Sequence, residues 1–162
     1  MFTQEISLLK DLKQKHPWSG SYMVKKAKFK YLLNGLCEIH GVDAPRLLIP
    51  KDKEQYEWTK KVYGDCWCQL GKIRVRNFSV ITLLHEFRHW LDYNTAGLKR
   101  KKASEWRANY YSTYRFYYVW PERIKLLNEL FTEKELSLKP ENYKTDAYIQ
   151  AMEDLVRGDL RL

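Results

Sequence analysis

The chain has 162 residues, 44% of them hydrophobic and 15% aromatic, and its 29 basic against 20 acidic side chains give a formal charge of +9. That length predicts a single domain over residues 1–162, with apolar content sufficient to bury a core. Low-complexity and helical membrane-spanning classes are excluded, because no repeat is visible and no stretch approaches 18 uncharged apolar residues.

Met1-Phe2-Thr3-Gln4-Glu5 lacks the basic start and apolar run of a secretory leader, so a cytoplasmic protein is expected. Residues 3–15 predict a first helix, ended by His16-Pro17 and a turn at Trp18-Ser19-Gly20. Val24, Ala27, Tyr31, Leu32, Leu36 and Ile39 fall on one broad face of a second helix that closes near Gly41, with Lys25, Lys26 and Lys30 opposite. Arg46-Leu47-Leu48-Ile49, bounded by Pro45 and Pro50, reads as a strand. Between Val62 and Arg76, two β-rich runs flank Gln69-Leu70-Gly71 and predict a hairpin, with Ile73 and Val75 alternating against Lys72, Arg74 and Arg76. Cys66 and Cys68 share one side of that strand with Trp67 on the other. Together with Cys37 they make an odd number, so buried or half-buried thiols are expected rather than a disulfide framework.

Ser79 is a good N-cap, and no Gly or Pro interrupts Val80 to Tyr93. Val80, Leu84, Phe87 and Leu91 form one apolar face of the helix so predicted. Its other side carries His85-Glu86-Phe87-Arg88-His89, an HExxH run. Histidines four apart stand one above the other on a helix and can hold one metal ion. Glu86, about 100° round from His85, then lies beside the position left for water and can take its proton. The pattern points to a zinc hydrolase.

Catalytic zinc usually takes three protein ligands. His16 and His40 both precede the motif and no histidine follows His89, so an acidic third ligand is expected. Glu105 is the best placed, at the start of a helical segment running to about Trp120. Ala108 and Ser112 on the same face allow a close approach, and Asn109 is positioned to hydrogen-bond a ligand histidine. Asp92 is the competing acid, about two turns from His85, where a supporting role suits it better.

HExxH in an apolar helix followed by Glu105-x-x-Ala108-Asn109 resembles the ImmA/IrrE-like metallopeptidases and, more broadly, the gluzincins. The resemblance covers roughly residues 45–120. Arg88 stands where that family more often has Gly, and tyrosines replace its Phe-Ala after the glutamate helix. The resemblance implies an α+β, zincin-like fold, a small antiparallel or mixed sheet against the HExxH helix, with helical flanks at 1–44 and 121–162. It also implies a zinc endopeptidase that clips a protein partner in a regulatory setting, as in phage and mobile elements. His85, His89 and Glu105 would be its metal ligands and Glu86 its general base.

Pro121 predicts a further helix through Phe131, and Pro140 precedes a last one from about Tyr143 to Arg157. The tyrosine-rich stretch from Tyr110 to Trp120 reads as core and interface, with one phenol available to an oxyanion. Lys99-Arg100-Lys101-Lys102 is a basic cluster between the two metal-bearing helices, suited to nucleic-acid phosphates or to solvent. Two rival readings therefore stand beside the peptidase. One is a nucleic-acid-associated protease like the SprT-like proteins, and the other is a zincin-fold binding protein that inhibits without cutting.

Overall fold

The computed structural model describes residues 1–52, 56–96, 102–124 and 143–159. Among them are five α-helices and three strands, an α+β architecture. Helix α1 (Phe2–Gln14) buries Ile6, Leu9 and Leu12 along one side. Helix α2 (Tyr22–His40) starts at Ser21, whose side chain accepts from the Val24 amide, and stops at Gly41. Gly41 takes a left-handed φ of 67°, which lets the Val42 amide turn back onto the Cys37 carbonyl at 3.0 Å. The core face of α2 differs from expectation. Phe29, Leu32, Leu33, Leu36 and Cys37 are buried, whereas Val24, Ala27 and Tyr31 are exposed. The helix carries two overlapping apolar stripes, and the one holding Phe29 and Leu33 supplies more volume to the core.

Strands β1 (Arg46–Leu48), β2 (Gly64–Trp67) and β3 (Lys72–Val75) form a mixed sheet in the order β1-β3-β2. β1 runs parallel to β3, with Leu47 opposite Ile73, and β2 runs antiparallel to it, with Asp65 opposite Arg74. That cross-strand pair is a bidentate ion pair, its Nε to Oδ1 leg 2.7 Å long. Trp58 and Trp67 each lie within 5 Å of the same guanidinium, at 4.6 and 4.8 Å. A 3-10 turn (Cys68–Leu70) closes the hairpin, as Gln69-Leu70-Gly71 predicts. Cys66 and Cys68 do lie on one side of the chain, half-buried, but as a disulfide rather than free thiols. The chain bends at Trp67, where the 3-10 turn begins, and their Cα atoms stand 5.3 Å from one another, a separation a bridge can span. Cys37 is free and buried.

Helix α3 (Val80–Ala96) buries Val80, Leu84, Phe87 and Leu91, the predicted apolar face, together with Leu83 against the sheet and helices. Helix α4 (Lys102–Val119) packs against it on one side and against helix α5 (Tyr143–Arg157) on the other. Along α4, Trp106, Tyr110, Tyr114 and Tyr118 recur every four residues and stack in sequence, ring centroids 5.2, 5.9 and 6.3 Å apart. Ala147 and Ala151 of α5 lie against Tyr110 and Tyr114, and Tyr110 donates to Asp154 at 2.6 Å. This packing absorbs the aromatic stretch as core and interface. Pro121 opens a short 3-10 turn (Pro121–Arg123); the rest of the helix expected through Phe131 lies outside the described residues. So do Lys99, Arg100 and Lys101, while Lys102 begins α4. No helix among the described residues is long and apolar enough to cross a membrane.

Candidate metal centre

Ser79 fixes the start of α3, its hydroxyl accepting from the Thr82 amide at 3.3 Å. With the apolar stripe of α3 committed to the core, His85, Glu86 and His89 emerge on the side facing α4. Ala108 and Ser112 are fully buried where α4 comes close, so their small size sets the approach. A second tie locks the same pair of helices. Asp92 accepts from Arg88 at 3.1 Å on its own helix and lies 3.4 Å from the Arg107 guanidinium on α4. Asp92 is thus a clasp between helices and stands outside the metal-ligand group. Arg107 is two residues from Glu105, so the clasp helps set where that carboxylate falls.

Glu105 reaches both histidines. One carboxylate oxygen is 3.0 Å from His89 Nε2 and the other is 3.2 Å from His85 Nε2, while the two Nε2 atoms are themselves 3.2 Å apart. Ligand atoms placed tetrahedrally around zinc at ~2.0–2.1 Å are separated by about 3.3 Å. The two imidazole nitrogens face each other across this distance with the carboxylate beside both. His85, His89 and Glu105 form a group able to hold a metal ion.

Electrostatics agree. Burial raises the Glu105 carboxyl, but hydrogen bonds from His85 and His89 and the charge of both rings outweigh it. The group therefore lies well below the usual carboxylate range and is an anion at neutral pH, as a metal ligand must be. His89 Nδ1 is 3.1 Å from the buried Ser104 hydroxyl. With its proton on Nδ1, the ring donates to Ser104 and turns its lone pair at Nε2 toward the ion.

Asn109 was the residue expected to make that hydrogen bond; Ser104 makes it instead. Neighbouring positions on a helix differ by about 100°, and the actual rotation of α4 brings Ser104 and Glu105 to the two sides of His89. Ser104 stands immediately before the predicted ligand, yet nothing in a lone serine distinguishes it beforehand. We expect Ser104→Ala to weaken binding of a divalent metal ion about 10–100-fold without changing the helical content, read by competition with a chromogenic chelator.

Glu86 is 3% exposed, and its Oε1 lies 3.9 Å from His85 Nε2, beside the ligand triangle rather than within it. Strand β2 comes up against it at Gly64. A Cβ there would meet Thr82 Cγ2 at 2.8 Å, the Arg74 carbonyl at 2.9 Å and Glu86 Cγ at 3.3 Å, so only glycine allows this approach. The group opens onto a cleft of about 460 Å³, where His85, Glu86 and Glu105 are joined by Gly64, Asn109 and Tyr148. Tyr148, from α5, was not singled out by the sequence. Burial pushes its phenol up to about 12, keeping it a neutral hydrogen-bonding group at physiological pH.

The structure therefore brings together all four sequence-predicted site residues, and neither His16 nor His40 is in the group able to hold a metal. His40 instead lies 3.3 Å from the carboxylate of Glu5 in the core. No family model, no curated protein and no solved structure matches this chain.

Proposed function

We propose that the protein is a zinc-dependent endopeptidase of the gluzincin type, related in its site to the ImmA/IrrE-like metallopeptidases. The observation that carries this reading is the cluster of His85, His89 and Glu105, with one ligand atom from each within 4.8 Å of the others, beside a buried Glu86 and at the wall of a cleft. Two imidazoles and a carboxylate form a donor set suited to Zn²⁺. A bound zinc supplies a Lewis acid that polarises a scissile carbonyl and acidifies water.

The chain's own residues would do the rest. Glu86 takes a proton from the attacking water and returns it to the leaving amine. Ser104 holds His89 in the tautomer that ligates, and the Asp92 clasp keeps α4 in register. Gly64, the first residue of β2, lines the cleft with the preceding Val62 and Tyr63, and β2 is an edge strand of the sheet. An extended segment of a partner protein can lie along that edge as an added strand. A cytoplasmic regulatory role, clipping one or a few protein partners, follows from the family likeness alone.

The test is incubation of the zinc-loaded protein with reduced, unfolded casein. Fragments that disappear with 1,10-phenanthroline and return with added zinc are expected. Intact casein with the zinc-loaded protein would argue for a metal-holding binding protein instead.

A further inference from the structure

Asn109 stands one turn beyond Glu105 on the same face of α4 and lines the cleft, although its side chain is 2% exposed. Its Nδ2 has no hydrogen-bond acceptor among the described residues. A primary amide carries two N–H donors, and leaving buried donors without an acceptor is unfavourable. The neighbouring hydroxyls make other contacts, and none accepts from Nδ2. Ser104 pairs with His89, Thr82 donates to the Ser79 hydroxyl at 3.0 Å, and Ser112 donates to the Asn109 backbone carbonyl at 3.2 Å. The Nδ2 end of the amide is therefore left out of these contacts.

What satisfies it must enter the cleft and carry an acceptor oxygen. Glu86 and Glu105 line the same space, so an anionic acceptor would meet two carboxylates, whereas a neutral carbonyl would not. Building on the peptidase reading above, we propose that Asn109 is a substrate-binding residue whose Nδ2 donates to a main-chain carbonyl of the peptide in the cleft. A main-chain acceptor makes the contact independent of substrate side chains. It fixes the peptide's height along α4, one turn from the metal group.

The test uses three hydroxamates on the zinc-loaded full chain. Acetohydroxamic acid grips only the metal. N-acetyl-glycylglycine hydroxamate and malonyl-glycinamide hydroxamate add main-chain carbonyls on one side of the metal or the other, without side chains. Asn109→Ala and the near-isosteric Asn109→Leu should keep one zinc per chain and wild-type affinity for acetohydroxamic acid. Both should lose about tenfold in affinity for at least one of the two peptide hydroxamates. Asn109→Leu should also melt no lower than wild type, because it removes a buried unpaired donor, an outcome that a structural role for the amide does not give.

Undiminished binding of both peptide hydroxamates to these variants would overturn the assignment, as would a uniform loss that includes acetohydroxamic acid. Failure of the wild type to bind acetohydroxamic acid would instead overturn the metal reading on which the proposal rests.

Discussion

Exchanging Glu86 for glutamine should leave one zinc bound and lower peptide hydrolysis by about 10²–10⁴-fold, the range associated with a general base. Glutamine has the shape of glutamate but cannot accept the proton from water, so the substitution separates chemistry from binding. The geometry favours a clean separation. Glu86 lies outside the His85–His89–Glu105 triangle, 3.9 Å from His85 Nε2, and its side chain is packed beneath Gly64, where an isostere fits. Zinc content by atomic absorption and casein cleavage under identical loading measure the two halves. Full cleavage by the glutamine variant would remove Glu86 from the mechanism, and loss of zinc would make it a ligand.

The second large effect lies in the core. Glu5 is 1% exposed and gathers three partners from distant parts of the chain. One oxygen accepts from Arg115 Nε and Nη2 at 3.2 and 3.1 Å, and the other accepts from the Tyr111 hydroxyl, with His40 Nε2 3.3 Å away. Helices α1, α2 and α4 are thereby tied at one point. Removing one member of a buried pair costs about 3–5 kcal/mol, because the other charge keeps its desolvation penalty. Glu5→Gln should therefore lose that much in urea unfolding, a large share of the roughly 5–15 kcal/mol of a small domain. A loss below about 1 kcal/mol would refute the pairing.

The same carboxylate gives a pH signature. Burial raises the Glu5 carboxyl, but the adjacent His40 ring, the Arg115 charge and the Tyr111 hydrogen bond together hold it below its ordinary 4.5. A group whose folded pKa is depressed adds stability above its unfolded value and loses it as pH falls through the folded one. Stability should thus be retained down to about pH 4.5 and decline below it, and Glu5→Gln should flatten that decline.

Local signals carried most of the architecture. The Ser79 cap, the apolar spacing of α3, the Pro-bounded β1 and the alternation of Ile73 and Val75 each act within a few residues, and each element formed where they indicated. That Glu105 lies against both histidines was legible by elimination, since no histidine follows His89. What eluded the sequence depends on long-range packing. The rotation of α4, which makes Ser104 and not Asn109 the partner of His89, is set together with the Asp92–Arg107 contact. The choice of Phe29 and Leu33 over Val24 and Tyr31 depends on which side of α2 its neighbours occupy. The Glu5–Arg115 pair spans 110 positions, beyond any periodicity.

Crystals grown with zinc and measured at the zinc absorption edge test the metal centre most directly. The account predicts one anomalous peak about 2.0–2.1 Å from His85 Nε2, His89 Nε2 and a carboxylate oxygen of Glu105. A zinc peak elsewhere on the chain, or none between these three side chains, would contradict it.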